Sequence, residues 1–194
     1  MTDMAACAVS DPLSYTVIVN KKHCFDPIEW EPDDLVQAEG YYLRTQAADR
    51  LIAMMTAAAA ADNTFSLSSA YRSYQGQAVT YDTWVAVNGS EASADAVSAR
   101  PGFSEHQTGL AVDLMLDDCV LECFGTTPQY TWLVAHAAEY GFIQRYPEGL
   151  TSITGYETES WHWRYVGIHT ATRMKSLGVQ TLEAYFDVTG GNYE

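Results

Sequence analysis

The sequence predicts an α+β fold, a small and mainly antiparallel sheet packed by helices, and three observations point to it. Short β-branched or alternating runs are closed by turn residues at hairpin-compatible spacing. Helical periodicity fills the stretch before most of these runs and the stretches between them. Strands and helices do not alternate as regular βαβ units, which disfavours a doubly wound parallel sheet. With 194 residues, no internal repeat and no linker, residues 1–194 are expected to form one domain.

Taken in order, Tyr15 to Asn20 is β-branched and aromatic and predicts a strand. Lys21 to Pro32 is irregular, punctuated by Pro27 and Pro32. Asp33 to about Ala61 predicts a helix capped by Asp33 or Asp34. Leu35, Ala38, Tyr42, Ala47, Leu51, Met54, Met55 and Ala58 recur there at helical spacing, and Gly40 weakens the middle. Phe65 to Ala70 alternates and predicts a strand; Tyr71 to Gln75 then opens a helical stretch through Trp84 and Val87, broken at Asn88-Gly89-Ser90. Ala92 to Ala99 is weakly helical and Arg100-Pro101-Gly102 is a turn. Leu110 to Leu116 predicts a strand, and Pro128 to Tyr140 a helix stopped by Gly141. Phe142-Ile143 is a short strand, Pro147-Glu148-Gly149 a turn, His162 to Val166 a strand and Ile168 to Leu177 a helix. Leu182 to Phe186 extends the C-terminal packing.

Composition narrows the function. The net charge of −15 is spread along the chain with no Lys/Arg cluster, which argues against nucleic acid and anionic membranes. No apolar run approaches the ~18–20 residues of a membrane span. Met1 to Cys7 lacks the basic and apolar regions of a signal peptide, which fits either a cytosolic protein or a chain numbered without its leader. Cys7, Cys24, Cys119 and Cys123 admit three full disulfide pairings. In a secreted protein Cys119–Cys123 would close a local loop and Cys7–Cys24 would tie down the N-terminus; in a reducing compartment all four would be thiols. The cysteine spacing does not suit a thiolate zinc site.

Chemistry concentrates in two segments, Ser104 to Asp113 and Glu159 to Tyr165. They offer two imidazoles, an aspartate and a further glutamate, which is what a hydrolytic zinc site needs: three protein ligands, an open position and a base. His106, Asp113 and His162 are read as ligands and Glu159 as the base. Asp113 sits inside the apolar run Leu110 to Leu116, where an unpaired carboxylate is costly, so it needs a partner: a metal, an arginine or a cap. His106 and Asp113 are seven apart and would face opposite ways on one strand, so the chain must bend at Thr108-Gly109. Glu159 and His162, three apart, would converge across a turn at Glu159-Ser160 leading into a strand at His162. Glu159 is equally compatible with a solvated loop, as Glu157 is. His23, His136 and His169 are read as ordinary surface or core residues. Arg72, just beyond a strand end, suits a substrate carboxylate, an oxyanion or a structural salt bridge. Trp161, Trp163 and Tyr165 alternate and read as packing rather than a ligand cage.

Four blocks carry a resemblance. Ser69-Ala70-Tyr71-Arg72-Ser73-Tyr74-Gln75, Ser104 to Asp113, Tyr140 to Pro147, and Ile153-Thr154-Gly155-Tyr156 with Trp161 to Gly167 resemble VanY-type zinc D-alanyl-D-alanine carboxypeptidases. Val19-Asn20-Lys21 and Pro32 to Leu35 are similar to their N-terminal region, and the likeness spans a core from about residue 15 to about residue 170. The resemblance implies Zn2+ on His106, Asp113 and His162, Glu159 as catalytic base, and Arg72 at the scissile end of a peptidoglycan stem peptide. It also implies Gln77 and Ser104 as pocket residues and an extracellular or cell-envelope location; a monomer is expected. Removal of the C-terminal D-alanine is the activity it implies. The alternatives are an L,D-carboxypeptidase acting on tetrapeptide stems, a D,D-dipeptidase, and a non-catalytic peptidoglycan-binding module. Two features depart from the family pattern: Ser160 stands where proline often precedes the tryptophan, and Asp117 to Cys123 is an insertion.

Overall fold

The computed structural model describes residues 7–117 and 119–193. Met1 to Ala6, on which most of the signal-peptide reading falls, lie outside the described residues. The elements are β1 (Leu35–Ala38), β2 (Tyr41–Arg44), α1 (Thr45–Ala60), β3 (Ser66–Ser69), α2 (Tyr74–Asn88), α3 (Glu91–Ala94), β4 (Ala111–Met115), α4 (Pro128–His136), β5 (Phe142–Tyr146), α5 (Thr151–Thr154), β6 (Glu159–Tyr165), α6 (Ile168–Leu177) and α7 (Leu182–Phe186). Three 3₁₀ turns, Glu105–Thr108, Leu121–Thr126 and Ala137–Tyr140, fill the connections. Disulfides join Cys7 to Cys24 and Cys119 to Cys123.

β3, β4, β6 and β5 form one antiparallel sheet in that order, and β1 and β2 form a separate hairpin. The mainly antiparallel α+β architecture is therefore the one the sequence predicts. α1 buries Ala47, Ala48, Leu51, Met54 and Ala58 along one stripe. That stripe packs with Leu67, Leu114, Phe142, Trp163 and Tyr165 from the sheet in the main core. α6 and α7 bury Ala171, Met174 and Leu182 in a second cluster with Ile18 and Val166.

Two expected elements are corrected. The helix expected over Asp33 to Ala61 begins only at Thr45; the first part is the β1–β2 hairpin. Glu39 (φ 50°) and Gly40 (φ 86°) are consecutive left-handed residues, the conformation that reverses a tight hairpin and ends a helix. Gly40 was thus a turn rather than a weak point. The strand expected over Tyr15 to Asn20 does not form. Val17 and Val19 are buried, but among the described residues the backbone has no partner strand: the Tyr15 and Val17 carbonyls accept from the Arg164 guanidinium, and Asn20 makes an isolated bridge to His23. Buried carbonyls satisfied by a side chain need no ladder.

Candidate metal centre and substrate cleft

Strand register brings the first two candidates together. Asp113 in β4 lies opposite His162 in β6 and Ser69 in β3. Residues directly opposite in an antiparallel pair share a face, so the carboxylate and imidazole meet. His106 comes from the 3₁₀ turn just before β4. The Ser104 hydroxyl accepts from the His106 amide at 3.3 Å to start that turn, and Gly109 (φ 67°) ends it. A side chain at Gly109 would press within about 3.0 Å of Leu35 and Arg44, so the hairpin packs directly on the bend.

Glu159 arrives differently from the expected turn: it is the first residue of β6, paired with Tyr146. Gln144 pairs with Trp163, so two steps along β5 span four along β6, and the surplus forms a bulge at Ser160 to His162. A bulge breaks strict alternation and re-aims a side chain. Here it puts Glu159 Oε2 3.7 Å from His162 Nδ1. Gly125 backs the bulge; a Cβ there would meet Ser160 at 2.9 Å.

The three candidate ligands offer donor atoms all within 4.8 Å of one another. His106 Nε2 is 3.2 Å from Asp113 Oδ2, and His162 Nδ1 is 3.0 Å from Asp113 Oδ1. His106 Nδ1 lies 2.6 Å from the Ala70 carbonyl. A carbonyl only accepts, so Nδ1 carries the hydrogen and the Nε2 lone pair faces the cluster. Two imidazole nitrogens and one carboxylate around an open cleft fit a catalytic zinc. Burial opposes charge on Asp113, yet His106 and His162 hold it well below the usual carboxylate range. Burial pushes His106 down; His162 is also buried, but Asp113 and Glu105 outweigh this and hold it at about 9. Burial, reinforced by Asp113, pushes Glu159 up to about 8.

Arg72 follows β3. Its Nη1 donates to Gln77 Oε1 (2.8 Å), its Nη2 to Ser69 Oγ (2.7 Å), and Nη2 is 3.9 Å from Asp113 Oδ2. Gln77 Nε2 donates to the Ala99 carbonyl at 2.7 Å, so both ends of its amide are committed. Arg72, Gln77, Ser104, His106, Asp113, Glu159 and His162 all line one cavity of about 390 Å³. His23, His136 and His169 lie outside it.

Residues without a sequence-based role also stand at the site. Tyr146 packs its ring 4.9 Å from that of His162 and 4.8 Å from that of Tyr156, and both tyrosines line the cavity. Trp161, read as packing, lines it too. Beside the candidate ligands, Glu105 is buried between Arg145 and Arg164. The available signal was an arginine inside each of the aromatic strands Phe142–Tyr146 and Glu159–Tyr165, a placement that demands a buried anion.

The family model for VanY, D-alanyl-D-alanine carboxypeptidase, matches residues 40–168. The putative carboxypeptidase YodJ of Bacillus subtilis (strain 168) is 38% identical over 192 residues, covering 92% of this chain and 69% of that protein. Among solved structures, the LdcB LD-carboxypeptidase is similar at TM-score 0.84 and 38% identity, covering 95% of this chain and 91% of that one. A vancomycin-resistance D,D-pentapeptidase VanY in complex with Zn(II) is similar at TM-score 0.77 and 33% identity, covering 89% and 98%.

Proposed function

This chain belongs to the VanY family of zinc D-alanyl-D-alanine carboxypeptidases, and we propose that it removes the C-terminal D-alanine from peptidoglycan stem peptides with His106, Asp113 and His162 as zinc ligands. The observation that carries this is the meeting of those three donors within 4.8 Å, flanked by Glu159 and Arg72 in one cavity. Zinc bound there supplies Lewis-acid chemistry, making a water nucleophilic near neutral pH. Glu159 would take a proton from the attacking water as the water oxygen bonds to the scissile carbonyl carbon. As the C–N bond breaks, the same carboxyl delivers the proton to the departing D-alanine amine. Arg72 holds the oxyanion of the tetrahedral intermediate, where charge develops. Gln77 and Ser69 fix the guanidinium, and Ser104 starts the turn that presents His106.

The substrate lies in the cell wall, so the site of action is extracellular or in the envelope. Two disulfides suit such an oxidising compartment. Among the described residues no helix is long and apolar enough to cross a membrane.

A second reading, L,D-carboxypeptidase, is favoured by the higher TM-score and identity to the LdcB enzyme than to the D,D-pentapeptidase. Mass spectrometry of two stem peptides, with and without chelator, separates them. Chelator-sensitive loss of one alanine from the peptide ending in D-alanyl-D-alanine is expected. Loss only from the one ending in L-lysyl-D-alanine establishes the second reading, and loss from neither, with zinc bound, overturns both.

A further inference from the structure

Two buried polar atoms beside the candidate metal centre lack hydrogen-bond partners among the described residues, and they face each other. Glu105 Oε2 and His162 Nε2 lie 3.6 Å apart. The other oxygen of Glu105 is heavily used: Arg145 Nε and Arg164 Nη1 both donate to Oε1 at 2.8 Å. None of these three side chains is exposed.

That division is not what a purely structural ion pair would adopt. A buried carboxylate between two guanidiniums is best satisfied with both oxygens engaged, because an unpaired charged oxygen is costly there. Both arginines instead converge on Oε1, and Oε2 points at an imidazole nitrogen. An ionised carboxylate only accepts, so the nitrogen facing it must carry the hydrogen. With Nε2 protonated, the lone pair of a neutral His162 sits on Nδ1, the atom 3.0 Å from Asp113. A shift of about 0.5 Å brings Nε2–H into hydrogen-bond range of Oε2.

We propose that Glu105 is the positioning residue for His162: its free oxygen fixes the Nε2–H tautomer and aims Nδ1 at the metal, while Arg145 and Arg164 keep that oxygen anionic and in place. The proposal rests on His162 being a zinc ligand. Among the described residues the two arginines hydrogen-bond to Glu105, Glu183 and main-chain carbonyls rather than to His106, Asp113 or His162. Arg145 is paired on its far side by Glu183 of α7, at 2.9 and 2.6 Å, and Arg164 Nη2 donates to the Val17 carbonyl at 2.7 Å. The Tyr146 ring also packs on the imidazole, with ring centroids 4.9 Å apart.

The test compares zinc affinity, by chelator competition, in wild type, Glu105→Gln and Glu183→Gln. Glu183→Gln weakens the same buried network without touching His162, so it reports general loosening. Glu105→Gln is expected to bind zinc about 10–100-fold more weakly, the usual effect of losing such a partner. Glu183→Gln should melt earlier yet bind zinc nearly as wild type does. Wild-type affinity in Glu105→Gln, or equal losses in both variants, overturns the proposal. A wild type that binds no zinc overturns the ligand assignment and this proposal with it. If Glu105→Gln does not fold, nitrogen-15 NMR of zinc-loaded wild type decides. A hydrogen-bonded Nε2–H on His162 is expected, and an Nδ1–H tautomer refutes the idea.

Discussion

Replacing Glu159 with glutamine should make the metal-free protein more stable and the enzyme far slower. The Glu159 side chain is only 13% exposed, and its carboxyl is pushed from the ordinary 4.5 to about 8. A folded-state value raised above the unfolded one contributes stability that is present below pH 4.5 and is lost as pH rises through 8. At about 1.36 kcal/mol per pH unit, the ionised carboxylate is disfavoured by up to about 5 kcal/mol at pH 8. Glutamine carries no charge there, but its buried amide returns ~1–3 kcal/mol of that through incomplete hydrogen bonding. A net gain of ~2–4 kcal/mol raises the melting temperature by about 4–16 °C for a chain of this size. Loss of the general base lowers kcat by about 10²–10⁴. Thermal melts of the metal-free protein at pH 8 and turnover of the zinc-loaded variant measure the two effects. A Glu159→Gln protein that melts earlier than wild type, or turns over within threefold of it, refutes the reasoning.

Arg72→Lys keeps the charge but strands Gln77 Oε1, a buried acceptor, so it should cost about 1–3 kcal/mol of stability. It should lower kcat by about 10²–10³ with zinc retained, and steady-state rates close to wild type would exclude an oxyanion role. Zinc affinity should rise with pH, because His162, held at about 9 in the metal-free protein, must lose its proton to ligate. The same group stabilises the metal-free fold below pH 6.5 and ceases to as pH passes 9. Calorimetric titrations between pH 6.5 and 8.5 that give one constant affinity would contradict this. Gly125→Ala pushes a methyl to within 2.9 Å of Ser160 and so displaces the bulge that sets Glu159. It should lower kcat about tenfold or more while leaving bound zinc unchanged, as metal analysis beside kinetics would report.

Much of the site was legible because its residues contradict their surroundings. Asp113 in an apolar run demanded a partner, and the Thr108-Gly109 bend follows from the odd spacing to His106; the structure supplies both. The helix over Thr45–Ala60 was legible from Ala47, Leu51, Met54 and Ala58. The hairpin before it was not, because Leu35, Ala38 and Tyr42 fit a helical period as well as paired strands. Only the left-handed turn at Glu39-Gly40 separates the two. The bulge that aims Glu159 was hidden for another reason: it depends on β5, whose register against β6 no local pattern encodes. Glu105 stood inside the motif, but the role proposed for it depends on arginines 40 and 59 positions away. Tyr15 to Asn20 has strand-like residues and no partner strand among the described residues, so propensity could not decide it.

Zinc removal and titration back, followed by D-alanine release from a stem peptide ending in D-alanyl-D-alanine, tests the central claim most directly. The three-donor site predicts that chelated enzyme is inactive and regains activity linearly up to one zinc per chain, while His162→Ala neither binds zinc nor recovers. Turnover that survives complete zinc removal, or full zinc binding by His162→Ala, would contradict it.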